Sequence, residues 1–436
     1  MRRRTVLTAI VSAAVSAGAL LVASPSVAEP ATTVRYPPGA TATRYAGDAF
    51  DTCTAPSSAT VRAWRASPYR ALGIYIGGVT RSCKQPELTP GWVSDVTSQG
   101  WRLVPIYKGL QPWCGARLRD AKITPAGATG EGTAAGVDAV ASAQKLGIGP
   151  GSGIYLDIEN YPATDTACRT GVLQFTSAYT KALHRRGYVS GVYANLSSGA
   201  QHLSQTYASA TYARPDALWV ARYDRNPSLT GWTGIPDRRW AVHQRAKQYR
   251  GGHDETYGGV TLNIDNDRFD GPVATVARSY TVTSTSPLNA RSAPTVRARV
   301  VATHASGSSL PVVCQAPGST VATTNVWDQL TDGTYVTDHY VSTPSSTSYS
   351  AALPRCTFPF QVTAPDSLIR HTGPGVRYAT AGAIPPGGLA WVGCQGPGSA
   401  VGPTTVWDRL RDGRWVTDRY VASPGRPGYS PPVPRC

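Results

Sequence analysis

Residues 153–161 read GIYLDIENY, an apolar strand that leads directly into two acids two positions apart. Successive side chains of a strand point to opposite faces, so we expect Asp157 and Glu159 to share one face. Two neighbouring carboxylates in a partly buried place repel each other, which raises the pKa of one of them. Cleavage of a glycosidic bond uses such a pair of carboxyl groups. A strand end whose acids simply meet water is the alternative.

The surrounding block, residues 45–273, has the length of a (β/α)₈ barrel. Helical patterns at 131–147 and 168–187 separate apolar strands, which is typical of a parallel sheet covered on both faces. Eight strand-like runs lie near 46–51, 72–77, 102–107, 153–159, 189–194, 217–223, 239–244 and 261–267. We therefore predict an α/β fold, a closed TIM-type barrel, with an active site at the carboxyl ends of its strands.

The carboxyl ends of these predicted strands are rich in acids and aromatic side chains. Asp51 ends the first strand, Asp157 and Glu159 end the fourth, and Asp265 and Asp267 end the eighth. The fifth to seventh strands add Tyr193, Trp219, Tyr223, Trp240 and Gln244. Aromatic rings can cover the apolar faces of sugars, and carboxylates can act as acid and base. We predict a sugar-binding cleft in which these five side chains bind substrate, while the acids, Asp267 among them, bind sugar hydroxyls or act as acid and base.

Each of these side chains also has a purely structural interpretation. Asp51 could cap a helix, and the two acids of the eighth strand could bind a metal or meet water. Either tryptophan could belong to the core, Tyr193 could pack inside the barrel, and His243 could be a hydrogen-bonded structural residue. The residues alone leave these alternatives open.

Other chemistries lack their motifs in this chain. There is no G-x-S-x-G elbow, no H-E-x-x-H zinc motif and no G-x-x-x-x-G-K-[ST] phosphate loop. Lysine and arginine do not cluster with interleaved aromatic residues, so nucleic acid is not an expected partner. The sequence requires no cofactor and no metal.

The first 28 residues are typical of a secretory signal peptide. Three arginines at 2–4 precede an apolar run, and SVA at 26–28 resembles a cleavage site. The segment RRTVL at 3–7 is also similar to a twin-arginine signal, so either export route fits. Residues 29–44 are expected to form a linker. No later stretch is long and apolar enough to span a bilayer, so we expect a secreted, extracellular protein with the cell wall as its site of association.

All eight cysteines lie after the predicted signal peptide, and an even number in an exported chain indicates disulfides. No C-x-x-C spacing supports a zinc site. Two pairs recur at one spacing, which predicts Cys314–Cys356 and Cys394–Cys436. Sequential pairing of the others gives Cys53–Cys83 and Cys114–Cys168, one of many connectivities that remain open.

The chain is basic. Its formal charge is +16, and removal of the three signal-peptide arginines lowers it to +13. A basic exported protein attracts polyanions, so anionic wall polymers are candidate partners. The charges are scattered along the chain, which is also typical of an ordinary solvated surface.

Residues 280–356 and 360–436 are two copies of one unit, offset by 80 positions. Each copy is the size of a small barrel and has short alternating strands between turns. The segment LNARSAP at 288–294 and the following W-D-x-L…G-x-x-V-x-D-x-Y-V pattern resemble bacterial SH3 domains. The second copy instead reads LIRHTGP at 368–374, so its binding surface is expected to differ. The resemblance implies two all-β modules that attach the chain to the cell wall; inert spacers are the alternative.

Five segments of the barrel block carry a second resemblance: FDTC at 50–53, SPYRALGIYIGG at 67–78, LTPGWV at 88–93, GWRLVPIYKGLQ at 100–111 and IYLDIENY at 154–161. They resemble the Rv2525c-like, glycoside-hydrolase-like family, domain of unknown function 1906. The block is more distantly similar to the family 25 lysozymes. Four features of those enzymes also occur in this chain. They are an acid on the first strand (Asp51), a D-x-E on the fourth (Asp157 and Glu159), an L-W-x-A-x-Y segment (218–223), and a final acidic strand before F-x-G (265–271).

Carried over residue by residue, the second resemblance implies that Glu159 is the general acid that protonates the leaving oxygen. Asp157 would orient or stabilise the reacting centre, and Asp51 and Asp265 would complete the acidic cluster. The final strand reads NIDND at 263–267 instead of the simpler lysozyme ending. This departure leaves open whether Asp265 or Asp267 faces the cleft.

Together these patterns predict an exported glycoside hydrolase that acts on cell-wall glycan, with peptidoglycan as the expected substrate. One alternative is a catalytically silent wall carbohydrate-binding protein that kept the barrel. Another is a different hydrolase, either an amidase or an enzyme for a non-wall polysaccharide. The D-x-E pair favours the first interpretation, and release of new reducing ends distinguishes it from the second.

Overall fold

Eight strands close into a barrel in the part of the chain before residue 273. The structure, a computed structural model, describes residues 44–350, 353–430 and 433–436, so the predicted signal peptide and nearly all of the predicted linker lie outside the described residues. The barrel strands are β1 (Arg44–Asp51), β2 (Ala71–Gly77), β3 (Arg102–Tyr107), β4 (Gly153–Ile158), β5 (Val189–Asn195), β6 (Ala217–Ala221), β7 (Arg245–Tyr257) and β8 (Val260–Pro272). The predicted α/β barrel is confirmed.

The last strand departs from the predicted (β/α)₈ pattern, because β8 runs antiparallel to both of its neighbours. A tight turn at Gly258 and Gly259 joins β7 to β8, and their φ values of 56° and 77° are readily adopted by glycine. A two-residue turn joins antiparallel strands, whereas a parallel connection needs a crossover of about a dozen residues. Reversal of β8 places Asp265 opposite Asp51, at the end of β1.

The prediction of a seventh strand at 239–244 is wrong. Residues 237–243 form a turn in which Trp240 and His243 have positive φ values of 50° and 53°. Trp240 makes this segment resemble a strand because it is buried, with its Nε1 donating to the Pro215 carbonyl. The observed β7 begins at Arg245 and is mostly polar, so its hydrophobic pattern did not reveal it.

Helices pack around the barrel between the strands. They are α1 (Ser58–Ala63), α2 (Pro90–Ser98), α3 (Ala128–Lys145), α4 (Thr166–His184) and α5 (Gln201–Gln205). The two long helices, α3 and α4, correspond to the helices predicted at 131–147 and 168–187. They approach closely because Gly132 lacks a side chain: a Cβ there would lie 2.2 Å from the Phe175 carbonyl oxygen. Within the described ranges, no helix has the length and apolarity needed to cross a membrane.

All four predicted disulfides are present. Cys53–Cys83 links the loop after β1 to the loop after β2. Cys114–Cys168 links the loop after β3 to the first turn of α4, where Asp165 caps the helix by accepting from the Cys168 N–H. Both bonds therefore brace loops at the carboxyl-end face of the barrel, where the acids lie.

The two copies of the repeat form two six-stranded antiparallel sheets with the same order of corresponding strands. The first sheet contains β9 (Arg278–Thr281), β10 (Leu288–Arg291), β11 (Val300–His304), β12 (Ser309–Val321), β13 (Thr324–Leu330) and β14 (Tyr335–Thr337). The second contains β15 (Phe358–Gln361), β16 (Leu368–His371), β17 (Thr380–Ile384), β18 (Leu389–Val401), β19 (Thr404–Leu410) and β20 (Trp415–Thr417). The predicted small all-β units are confirmed, and their function as SH3-like modules stays a prediction.

Each repeat buries a pair of aspartates around one glutamine. In the first copy, Gln315 Nε2 donates to Asp328 Oδ1 at 2.9 Å and to Asp338 Oδ1 at 2.8 Å. The second copy repeats this arrangement with Gln395, Asp408 and Asp418. Burial is the main cause that raises the pKa of all four acids, and the partner carboxylate raises those of Asp328 and Asp408 further. Each pair therefore keeps a proton at a higher pH than an isolated aspartate would.

We expect the repeats to lose stability as the pH rises. A carboxyl group whose pKa is higher in the folded chain than in the unfolded chain stabilises the fold below its unfolded pKa of about 4. That contribution is lost as the pH rises through the folded value. In the chain carrying Asp328→Asn and Asp408→Asn, an amide replaces the protonated carboxyl, so the unfolding temperature of the repeats should depend less on pH.

Differential scanning calorimetry of the full chain across pH measures this dependence. Asp366→Asn, at an exposed position, is the matched control and should follow the wild type. The same pH dependence in the wild type and the double variant would contradict a proton shared within each pair.

Candidate active site

The mouth of the barrel brings together the acids that the sequence identified. Asp51 ends β1, Asp157 and Glu159 lie at the end of β4, and Asp265 and Asp267 lie on β8. Three of the acids are at most 2% exposed: Asp51, Asp157 and Asp267. Glu159 and Asp265 are partly exposed. The acids therefore occupy two depths, with Asp265 nearer the surface than Asp267.

Tyr75, on β2, lies among these acids and was not predicted. Burial raises the pKa of Tyr75 well above its ordinary value, and the charges of Asp51, Asp157, Asp265 and Glu159 raise it further. Four carboxyl groups from three strands thus influence one phenol, which indicates that they surround a common space. The phenol stays protonated and can donate a hydrogen bond there.

Lys108, directly after β3, compensates the charge of the D-x-E pair. Its Nζ lies 2.9 Å from Asp157 Oδ2 and also donates to Glu159 Oε1. Arg117 Nη2 lies 3.4 Å from the same Glu159 oxygen. Burial opposes the charge on Lys108, but the two acids outweigh it and raise the pKa of Lys108. Glu159 therefore has two cationic neighbours, one buried and one exposed.

Asp157 is the deeper acid of this pair. Burial raises the pKa of Asp157 to about 6, although the charge of Lys108 opposes that rise. Gln111 orients both acids, because its Nε2 donates to the Asp157 carbonyl at 2.9 Å and its Oε1 accepts from the Glu159 N–H at 2.9 Å. Among the described residues, Asp157 Oδ1 has no hydrogen-bond partner, which leaves a buried acceptor for a ligand hydroxyl or a proton.

The second cluster contains Asp51, Asp265 and Asp267, with Gln248 of β7 beside them. Gln248 Nε2 donates to Asp51 Oδ2 at 2.6 Å and to Asp265 Oδ2 at 3.2 Å. Burial, followed by repulsion from Asp265, raises the pKa of Asp51 to about 8. Burial is also the main cause that raises the pKa of Asp265 and that of Asp267. This cluster therefore retains protons at neutral pH.

Two of the predicted substrate-binding residues, Tyr193 and Tyr223, meet at Gln248. Their hydroxyl groups donate to Gln248 Oε1 at 2.7 Å and 2.9 Å, respectively. These bonds fix the amide so that its Nε2 faces the acids. Tyr223 is 62% exposed, so its ring can pack against a sugar at the rim of the mouth.

Trp219 and Asp267, which were predicted to bind substrate, lie beneath the mouth and are at most 1% exposed. Trp219 Nε1 donates to Asp267 Oδ1 at 3.0 Å. The indole packs edge-on against Tyr155 and Phe269 inside the barrel. Trp219 therefore belongs to the core and positions Asp267, which in turn lies next to Asp51.

The structure does not bring Trp240 and Gln244, also predicted to bind substrate, to the mouth of the barrel. Both precede β7, which runs parallel to β6, so they lie at the opposite end of the barrel from the acids. Gln244 is buried and its Nε2 donates to the Asp216 carbonyl, just before β6. His243 contacts Asp270 at the same end, which fits its structural interpretation.

The residues that sequence reasoning missed are Lys108, Gln111, Tyr75 and Gln248. Lys108 and Gln111 follow the third strand, and Tyr75 lies on the second, so an inspection of those strand ends would have found them. Gln248 was missed because the seventh strand was placed too early in the sequence. The contacts of these four side chains with the acids form only when the barrel closes, so no local sequence pattern predicts them.

One group of possible metal ligands occurs within the described residues: Cys114, Asp165 and Cys168. The two cysteines are joined in a disulfide, so they offer no thiolate to a metal. These residues therefore belong to the disulfide that links the loop after β3 to α4, and they do not form a metal site.

Several solved structures resemble the chain at low identity. An uncharacterized B. stearothermophilus protein is 18% identical, with a TM-score of 0.36, over 52% of this chain and 99% of that one. The catalytic domain of endolysin ply40 from bacteriophage P40 of Listeria monocytogenes is 15% identical, with a TM-score of 0.33, over 52% and 93%. A muramidase from Acremonium alcalophilum is 18% identical, with a TM-score of 0.31, over 51% and 93%. Likenesses at this level carry no conclusion about activity.

No curated protein matches the chain. A family model does match residues 62–269, which span the barrel from α1 to β8. Over these residues the barrel matches the Rv2525c-like, glycoside hydrolase-like domain.

Proposed function

We propose that this chain is a glycoside hydrolase that cleaves cell-wall glycan, with peptidoglycan as its substrate. One observation supports this most strongly: the barrel mouth holds two carboxyl clusters in opposite charge environments. The cluster around Asp51 lies beside a neutral amide and retains protons, while Glu159 contacts the cations of Lys108 and Arg117. Hydrolysis of a glycosidic bond requires one protonated and one ionised carboxyl group.

The contacts suggest a different division of roles from the one that the family resemblance implied. Glu159 was expected to be the proton donor, but its two cationic neighbours favour the ionised form. We assign proton donation to Asp51, whose pKa is raised to about 8. Asp157 and Glu159 then supply the negative charge that stabilises an oxocarbenium-like centre or activates water. Burial is the main cause that keeps Asp51 protonated, and repulsion from Asp265 adds to it.

Export and wall attachment are part of the same proposal. Four disulfides in the chain suit an oxidising compartment outside the cytoplasm. The signal-like residues 1–28 and the net positive charge point the same way. We propose that the two all-β repeats bind the wall and hold the barrel near its glycan.

A catalytically silent glycan-binding protein is the second candidate, and Lys108 is the observation that favours it. An ammonium group that contacts both acids of the D-x-E motif reduces the negative charge available to a developing cation. In such a protein the acids and tyrosines would bind sugar hydroxyls without cleaving the bond.

We expect a bell-shaped pH dependence of hydrolysis. Activity should fall below about pH 6, because Asp157 must lose its proton to act as a charged group. Activity should fall above about pH 8, because Asp51 must keep its proton to act as a donor. The release of reducing ends from purified peptidoglycan at limiting substrate concentration, measured from pH 4 to 10, checks both limbs.

A profile that rises steadily with acidity, with no loss below pH 6, would contradict the charged role of Asp157. A rate that stays constant to pH 10 would contradict proton donation by Asp51. The absence of reducing ends at every pH, together with saturable binding to the glycan, would favour the silent binding protein.

A further inference from the structure

A cavity of about 670 Å³ opens beside the acid clusters, between the loop after β6 and the β7–β8 hairpin. Tyr223 and Asp265 belong to its lining and also contact Gln248, so the cavity is continuous with the barrel mouth. Its other walls include Arg225 and Arg250. A chain of sugars bound at the acids would therefore extend past these two guanidinium groups.

The loop that carries Arg225 is held in place by a buried ion pair. Lys247 has 2% of its side chain exposed, and its Nζ donates to Asp224 at 2.7 Å and 3.0 Å and to the Asn226 carbonyl at 2.6 Å. Arg225 itself has a φ of 57°, and its N–H donates to the Tyr249 carbonyl at 2.9 Å. A non-glycine residue in this conformation costs about 1 kcal/mol or more, and such strain concentrates at binding sites.

The charges in this cavity are incompletely balanced. Within residues 44–350, 353–430 and 433–436, no carboxylate lies within ion-pair distance of Arg225. Arg250 contacts Glu255 only at 3.8 Å, and Glu255 also binds His253 at 2.8 Å. Asp265, at the edge of the cavity, already accepts from Gly252 N–H and Gln248. The guanidinium groups are therefore available to an external anion.

We propose that this cavity is a subsite for an acidic sugar, whose carboxylate is bound by Arg225 and Arg250. The inference rests on the proposed function and narrows it to wall glycan whose acidic sugars have a free carboxyl group, such as N-acetylmuramic acid without an attached peptide. A planar guanidinium pairs with a carboxylate through two parallel hydrogen bonds. Tyr223 is exposed and lines the same cavity, and its hydroxyl contacts Gln248 beside the acids, so its ring can pack against the same sugar.

Binding of defined tetrasaccharides to the full chain tests the subsite. All titrations use a Glu159→Gln background, so that no ligand is consumed. The ligands are a tetramer of N-acetylglucosamine, an alternating tetramer of N-acetylglucosamine and N-acetylmuramic acid, its carboxyl-reduced form, and a chitotetraose that carries one phosphate. We expect the carboxylate ligand to bind about tenfold or more tightly than its reduced form, with a preference that weakens as salt is added.

Adding Arg225→Gln and Arg250→Gln should reduce that carboxylate preference to nearly one. Arg238→Gln, at an exposed arginine outside the cavity, is the matched control and should keep it. Equal binding of the acidic and reduced ligands, or a preference for the phosphate ligand alone, would overturn the subsite while leaving the proposed hydrolase intact. Binding of no glycan at all would overturn both.

Discussion

Asp51→Asn should lower the rate of glycan hydrolysis by about 10²–10⁴-fold, the usual contribution of a positioned proton donor. The asparagine keeps the shape of the protonated acid and can still accept from Gln248, but it cannot give up a proton to the leaving oxygen. Because the pKa of Asp51 is raised to about 8, the wild-type side chain is already neutral at pH 7. The variant should therefore be as stable as the wild type at pH 7, and more stable at higher pH.

Asp48→Asn is the matched control for this change. Asp48 lies on the same strand and pairs with Arg268 at 3.4 Å on the outer face of the barrel. It should retain the wild-type rate. Initial rates and thermal unfolding of both variants, measured in parallel, separate a chemical defect from a folding defect. A folded Asp51→Asn chain with unchanged activity would remove Asp51 from the mechanism.

Lys108→Met should destabilise the barrel by about 3–5 kcal/mol at pH 7, the usual effect of removing one partner from a buried ion pair. Asp157 is 2% exposed and would lose its cation, whereas Glu159 would keep its contact with Arg117. Without Lys108 the pKa of Asp157 should rise further above about 6. A carboxyl whose folded pKa is raised stabilises the fold at low pH and loses that contribution as the pH increases, so the defect should shrink in acid.

The same substitution should move the acid limb of the activity profile to higher pH, because Asp157 would be protonated over a wider range. Chemical denaturation of the full chain at pH 5 and pH 8, with rates at both values, measures the two effects. Lys145→Met, at an exposed position on α3, is the control. If Lys108→Met instead increased the rate at neutral pH, Glu159 would be the proton donor, because loss of the lysine would let it hold a proton.

The fold could be predicted where each strand is apolar and bounded by turns. The first six strands and the two long helices satisfy this condition. The seventh strand does not, because β7 is polar where it leaves the barrel as a hairpin and because the buried Trp240 gives a neighbouring turn a strand-like pattern. The reversal of β8 follows from the short turn at Gly258 and Gly259, which became evident only with the correct strand bounds.

The candidate site could be predicted in its acids but not in its charge balance. Asp51, Asp157, Glu159 and Asp265 follow from strand ends and from the family resemblance. The depth of Asp267 depends on strand register, and the contact of Lys108 with two acids depends on how adjacent strands align. Both are properties of the closed barrel. They decide which acid holds a proton, and therefore which role each acid is given.

The measurement that tests the central claim most directly is the release of new reducing ends from purified peptidoglycan by the full chain, with Glu159→Gln alongside. This account predicts release by the wild type near neutral pH and a loss of about 10²-fold or more in the variant, because a neutral amide cannot supply the negative charge of the ionised carboxylate. Equal release by both chains would contradict the role of Glu159. No release by either chain, with both bound to the wall, would contradict the hydrolase itself and leave the acid clusters as a carbohydrate-binding site.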